Sequence, residues 1–201
     1  MSRLMNNSNN YIDLFIFKNE GYSRNNTIKK IFNTYYGYDV QDNNILVSKL
    51  GKPFLDSNKY YFNISHSGEY VIFAVSDDEI GIDIQKMDEI KKYLQKQSIL
   101  LGKQCAQEFI FSPYEDKFIK KCNSFKRFYI IWTIKEAYIK YSGQGLNKTL
   151  NSFIVLHYNN SYYIYDSCLR SDIVISSFDW EKEYKISICS KYKNFNLFKI
   201  E

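Results

Sequence analysis

The sequence predicts an α/β (α+β) fold built from two similar halves, and three observations lead there. Helical and strand patterns alternate along 201 residues, with more strand than helix. Thr27–Gly37 aligns without gaps onto Thr133–Gly143, and a similar strand lies downstream of each, Tyr70–Ser76 and Tyr184–Ser190. A helix and a strand recurring at offsets of 106 and 114 residues fit two related halves and are far too widely spaced for a solenoid. The chain is also 45% hydrophobic and 24% charged, enough apolar matter for a real core. The halves are expected at 1–79 and 80–201.

In chain order, runs rich in β-branched and aromatic residues predict strands at Tyr11–Phe17, Ile45–Ser48, Tyr60–Ile64, Tyr70–Ser76 and Ile80–Ile84. Further strands are expected at Phe153–Tyr158, Tyr162–Tyr165, Ile173–Phe178 and Lys185–Cys189. Asn159-Asn160 separates two of these runs and predicts a hairpin, since Asn tolerates the positive φ of a tight turn. Helices are expected at Asn25–Tyr36, Lys91–Leu101 and Lys126–Tyr141; the first and last stop at a glycine. Ser112-Pro113 can start a short helix with Pro in its first position.

Composition closes off several classes. No apolar run approaches a bilayer span, and the N-terminal residues carry no apolar core of a secretory signal, so a soluble, cytoplasmic chain is expected, not a membrane protein. Cys105, Cys122, Cys168 and Cys189 show no metal-binding spacing and read as thiols in a reducing compartment. Net charge is +5, from 27 Lys+Arg against 22 Asp+Glu. The lysines are scattered instead of gathered in a stripe, which argues against nucleic acid as the partner.

Three segments carry residues suited to chemistry. Asn63–Gly68, with Ser65, His66 and Ser67, is expected as a polar turn offering hydroxyls, an imidazole and backbone N–H groups to a phosphate; an ordinary hairpin turn explains the same residues. In Gly81–Gln85, alternation puts Asp83 and Gln85 on one strand face opposite Ile82 and Ile84, where two oxygen-bearing side chains can hold a hard cation or form a solvated edge. Trp132, Glu136 and Lys140 fall at i, i+4 and i+8 on one helix stripe. A surface ion pair accounts for Glu136 and Lys140, but Trp132 on the same stripe tends to draw that face inward.

Taken in order, Gly51-Lys52-Pro53, Asn63–Gly68, Gly81–Asp83 and Trp132–Lys140 resemble the motifs of the Sfp-type 4′-phosphopantetheinyl transferases, over about Arg24 to Gly145. The resemblance implies a pseudo-dimer of two α/β halves with the active site at their interface. It implies an enzyme that moves the phosphopantetheine arm of coenzyme A to a serine of an apo acyl or peptidyl carrier protein, releasing 3′,5′-ADP. By matching position it implies Mg²⁺, with Mn²⁺ as the alternative ion, on Asp83 and Glu136, and coenzyme A phosphates on Ser65, His66 and Lys140. It places Lys52 and Arg24 near the nucleotide end, and Glu115 in Phe111–Glu115 beside the attacking serine. Members commonly carry an acid two residues after the metal aspartate, where this chain has Gln85, so an active enzyme with weakened Mg²⁺ affinity is expected. The alternative is a non-catalytic module that binds coenzyme A or the carrier. The motif set and length imply a monomer, with Lys29, Lys30, Lys120, Lys121 and Lys126 as candidates for docking an acidic carrier of nonribosomal peptide, polyketide or fatty-acid assembly.

Overall fold

Strict alternation of large apolar residues organises the protein, because it gives each sheet one face for its partner sheet and one for a helix. A computed structural model describes residues 11–57, 59–87, 110–121, 125–167 and 172–200. The first sheet has the order β11-β1-β5-β4, from β1 (Ile12–Lys18), β4 (Tyr61–Ser67), β5 (Tyr70–Ser76) and β11 (Phe195–Lys199). The second has the order β6-β10-β9, from β6 (Ile80–Lys86), β9 (Val174–Trp180) and β10 (Tyr184–Ser190). Helix α1 (Arg24–Ile31), prolonged by a π-turn over Phe32–Tyr36, serves the first sheet. Helices α2 (Pro113–Lys120) and α3 (Phe125–Ser142) precede the hairpin β7 (Ile154–Tyr158) and β8 (Ser161–Tyr165), and β2 (Ile45–Val47) pairs with β3 (Pro53–Leu55). Among the described residues no helix is long and apolar enough to cross a membrane.

The two halves repeat one plan. A strand leads to a helix and then to a hairpin whose second strand pairs with the first, giving β1-β5-β4 and β6-β10-β9. The echo in the sequence falls on matching pieces: α1 with its π-turn stops at Gly37 (φ 61°), α3 stops at Gly143 (φ 66°), and the paired strands are β5 and β10. Both those strands are buried along their whole length.

Three clusters make the core. Ile12, Leu14 and Ile72 of the first sheet meet Ile82, Ile84 and Ile186 of the second. Each such side chain, fully buried, contributes about 1.5–3 kcal/mol. On the outer face of the first sheet, Phe15, Phe62 and Phe73 pack on Ile28, Ile31 and Phe32 of α1 and its π-turn. Beyond the second sheet, α3 packs through Ile131, Ile134 and Tyr138 against Phe153, Val155 and Cys189.

Several details depart from the sequence pattern. β4 does not end at Ile64; Ser65, His66 and Ser67 lie within the strand, and the turn falls on Gly68. The strand continues because Asn63 Oδ1, Ser65 Oγ and Ser67 Oγ accept the backbone N–H groups of Ile82 (3.0 Å), Ile84 (3.3 Å) and Lys86 (2.9 Å). Strands β3 and β11 have no counterpart among the expected elements. The first is three residues long and begins at a proline; the second finds its partner β1 in parallel, far away in sequence. Pro113 does open a helix, and Asn159 and Asn160 do adopt positive φ (47° and 59°). The helix expected at Lys91–Leu101, with Cys105, Cys122 and Cys168, lies outside the described residues.

Gly81 sets how closely α3 approaches β6. A Cβ there would lie 2.0 Å from the Ala137 carbonyl oxygen and 2.3 Å from the Tyr141 amide nitrogen, both backbone atoms that cannot step aside. Gly81→Ala is expected to destabilise the fold by about 3 kcal/mol, the upper end for overpacking, which urea unfolding of the two proteins will read.

Candidate active site

Asp83 and Gln85 project from β6 toward α3, on the face opposite Ile82 and Ile84, as alternation requires. Burying a carboxylate at the centre of a strand is costly unless its oxygens find partners. Asp83 Oδ1 has two: the Ser65 hydroxyl at 2.8 Å and the Lys140 ammonium at 2.7 Å, while Lys140 Nζ also donates to Ser65 Oγ at 2.9 Å. Asp83 Oδ2 is buried with no hydrogen-bond partner. Lys140 therefore reaches across to β6 instead of closing a surface pair with Glu136. Gln85 donates its amide nitrogen to Ser67 Oγ at 3.0 Å.

Glu136, half-buried on α3, faces this carboxylate. Burial first, and then the negative charge of Asp83, push its pKa above the usual glutamate value, with Lys140 acting the other way. Two carboxylates in one low-dielectric place, one with an orphaned oxygen, fit a hard divalent cation. Among the described residues no three His, Cys, Asp or Glu gather in one place, so a cation here would complete its shell with oxygens from elsewhere.

The other expected residues lie apart from this cluster. His66 is exposed on the outer face of β4, its ring 5.5 Å from that of Tyr22, and Arg24 opens α1 close enough to act electrostatically on Tyr22. Lys52 Nζ pairs with Glu79 at 2.7 Å. It lines a cavity of about 570 Å³ between the two halves, walled by Pro53, Tyr60, Tyr61, Tyr138 and Tyr141. Of the candidate docking lysines, Lys29, Lys120 and Lys126 are engaged with Asp42, Asp116 and Asp179.

Glu115 is a correction. Expected beside the attacking serine, it is wholly buried and its carboxylate is spent on structure. Oε2 accepts the Ser112 N–H (2.7 Å) in the capping box of α2, and Oε1 accepts the Val155 N–H (2.7 Å) and faces Lys135 Nζ at 2.8 Å. Lys135, equally buried, sends its remaining donors to the carbonyls of Leu150 and Phe153. The Ser112-Pro-Tyr-Glu115 spacing is a capping-box signature, so the sequence does carry a signal of this role. Ser67, named in the polar motif without a role of its own, joins the site by holding Gln85, whereas Asn63 serves only the neighbouring strand edge through the Ile82 N–H; their period-two spacing with Ser65 matches a strand. Glu115→Ala, which leaves Lys135 as a buried unpaired charge, is expected to cost about 3–5 kcal/mol of stability, measured by urea unfolding.

The model of the 4′-phosphopantetheinyl transferase superfamily matches residues 79–189. The chain is 31% identical over 171 residues to 4′-phosphopantetheinyl transferase Sfp of Bacillus subtilis (strain 168), covering 84% of this chain and 72% of that one. It is 32% identical over 158 residues to 4′-phosphopantetheinyl transferase gsp of Aneurinibacillus migulanus, covering 78% and 62%. A solved holo-(acyl-carrier-protein) synthase from Bacillus anthracis str. Ames, in complex with CoA (3′,5′-ADP), aligns at 20% identity and a TM-score of 0.43 over 55% of this chain and 92% of that one. With more than half of its length matched by that model, and with relatives of this kind along most of the rest, the chain belongs to the 4′-phosphopantetheinyl transferase superfamily, in its Sfp-type branch.

Proposed function

We propose that the protein transfers the 4′-phosphopantetheine arm of coenzyme A to a serine of an apo acyl or peptidyl carrier protein and releases 3′,5′-ADP. The observation that carries the reading is the meeting of Asp83, with its orphaned oxygen, and Glu136 beside Lys140 at the junction of the two halves. Asp83 and Glu136 would hold Mg²⁺ or Mn²⁺, with Gln85 contributing its neutral oxygen directly or through water. When bound, such an ion would supply positive charge against the pyrophosphate and the departing 5′-phosphate of 3′,5′-ADP.

Phosphoryl transfer depends mostly on position and charge neutralisation. The serine oxygen forms a bond to the phosphorus that carries the pantetheine arm, and the bond from that phosphorus to the bridging oxygen breaks, so that 3′,5′-ADP leaves with the electron pair. Lys140 is placed to move from Asp83 to a non-bridging phosphate oxygen, exchanging one charged hydrogen bond for another. Glu136, a carboxylate beside the reacting phosphates, is the candidate to take the serine proton. Glu115, wholly buried and held by Ser112, Val155 and Lys135, is turned away from that task. Lys52 borders the cavity between the halves, where the tyrosine walls suit a planar base, and His66 and Arg24 would meet phosphate from the outer side of β4. Both halves occur in one chain, which supports a monomer, and use of coenzyme A supports a cytoplasmic place of action. The carrier of nonribosomal peptide, polyketide or fatty-acid assembly is the proposed client.

Intact-protein mass spectrometry of an apo carrier, incubated with this protein, coenzyme A and Mg²⁺, tests the reading. A mass gain of one phosphopantetheine is expected, and Asp83→Ala should abolish it. Binding of coenzyme A without any mass gain would identify a non-catalytic module instead, the alternative that Gln85 motivates. Gln85→Glu, which restores a third carboxylate, is expected to lower the Mg²⁺ concentration for half-maximal rate; an unchanged Mg²⁺ dependence would refute the role given to Gln85.

A further inference from the structure

We infer that Ser65 and Ser67 are positioning residues, which reach from the first half of the protein to aim the cation-facing oxygens of the second. The inference rests on the transferase reading and its divalent cation. A hydroxyl has one proton to give and two lone pairs to share. Ser65, only 5% exposed, uses all three: it donates to Asp83 Oδ1 (2.8 Å) and accepts from Lys140 Nζ (2.9 Å) and the Ile84 N–H (3.3 Å). No capacity is left for a phosphate oxygen, so the Ser65 hydroxyl is not the coenzyme A contact that its motif suggests.

Its task is instead to fix a rotation. With Oδ1 held by Ser65 and Lys140, the Asp83 carboxylate cannot turn to relieve Oδ2, which stays buried and without a hydrogen-bond partner. When Lys140 leaves for a phosphate, Ser65 alone keeps that orientation. Ser67 does the same for Gln85. It accepts the amide nitrogen at 3.0 Å and the Lys86 N–H at 2.9 Å, so the amide carbonyl oxygen is the end that Ser67 does not hold. The two serines sit two residues apart on β4, opposite Asp83 and Gln85, two residues apart on β6.

Mn²⁺ binding to the protein without coenzyme A, counted by electron paramagnetic resonance, separates positioning from phosphate contact. Ser65→Ala is expected to raise the Mn²⁺ dissociation constant about tenfold, the worth of a hydrogen bond to a charged group. The KM for coenzyme A at saturating metal is expected to stay within about twofold. Asn63→Ala, which breaks the neighbouring bond to the Ile82 N–H and touches neither Asp83 nor Lys140, is expected to lower Tm and leave Mn²⁺ binding unchanged. Unchanged Mn²⁺ binding with a raised KM for coenzyme A in Ser65→Ala would overturn the inference. So would an Asn63→Ala protein that binds Mn²⁺ as weakly. If Ser65→Ala does not fold, Ser65→Cys keeps the size with a far weaker donor, and the same loss of Mn²⁺ affinity is required of it. A wild-type protein that binds no Mn²⁺, with or without coenzyme A, would overturn the cation reading itself; normal binding that Ser65→Ala leaves intact would overturn only the inference.

Discussion

The edge of one sheet is closed onto the edge of the other by side chains instead of backbone, and the rest of the structure depends on that closure. β4 and β6 are terminal strands, whose outward N–H groups need partners once they are buried. Asn63, Ser65 and Ser67 supply them, each to the residue nineteen positions on, so the two strands run in parallel with one fixed register. Side chains reach farther than carbonyl groups do, and the gap they span lets the sheets turn to face each other and bury their isoleucines. A shift of one residue would send every oxygen of the ladder to the wrong face.

Lys135 and Glu136 show how differently neighbours on one helix can be treated. The first is wholly buried and fully engaged, locking α3 to α2 and to the chain before β7. The second is half-buried beside the like charge of Asp83, which Lys140 relieves only in part. Such a partly relieved group is tolerated where the surrounding structure is rigid enough to hold it. The Lys135–Glu115 pair supplies that rigidity one position away, and Gly81 supplies the close approach that brings Glu136 to Asp83 at all.

Much of this is legible in the sequence, for reasons that can be named. Alternation is a local signal, so it puts Asp83 and Gln85 on one face whatever the rest of the chain does. The echo of Thr27–Gly37 in Thr133–Gly143 marks the repeated plan because both helices must stop in the left-handed region, at Gly37 and Gly143. What escapes is non-local. Asn63, Ser65 and Ser67 favour turns when judged alone, and only β6 makes them strand residues. Strand β11 has a weak pattern of its own and depends on β1. Glu115 matches a motif position, but a motif says which residues recur, not which of their atoms are already occupied.

The parallel pairing of β11 with β1 also bears on how the chain is made. Phe195 lies opposite Ile12, 183 residues earlier, so the first sheet lacks one of its four strands until nearly all of the described chain has emerged from the ribosome. The N-terminal half then waits with one side of β1 unpaired while the second half is synthesised. Contacts of such long separation are slow to form, because loop closure costs entropy before the pairing repays it. The repeated plan of two halves is thus a resemblance of architecture that the pairing crosses: β11, which follows the second half's strands in sequence, completes the sheet of the first.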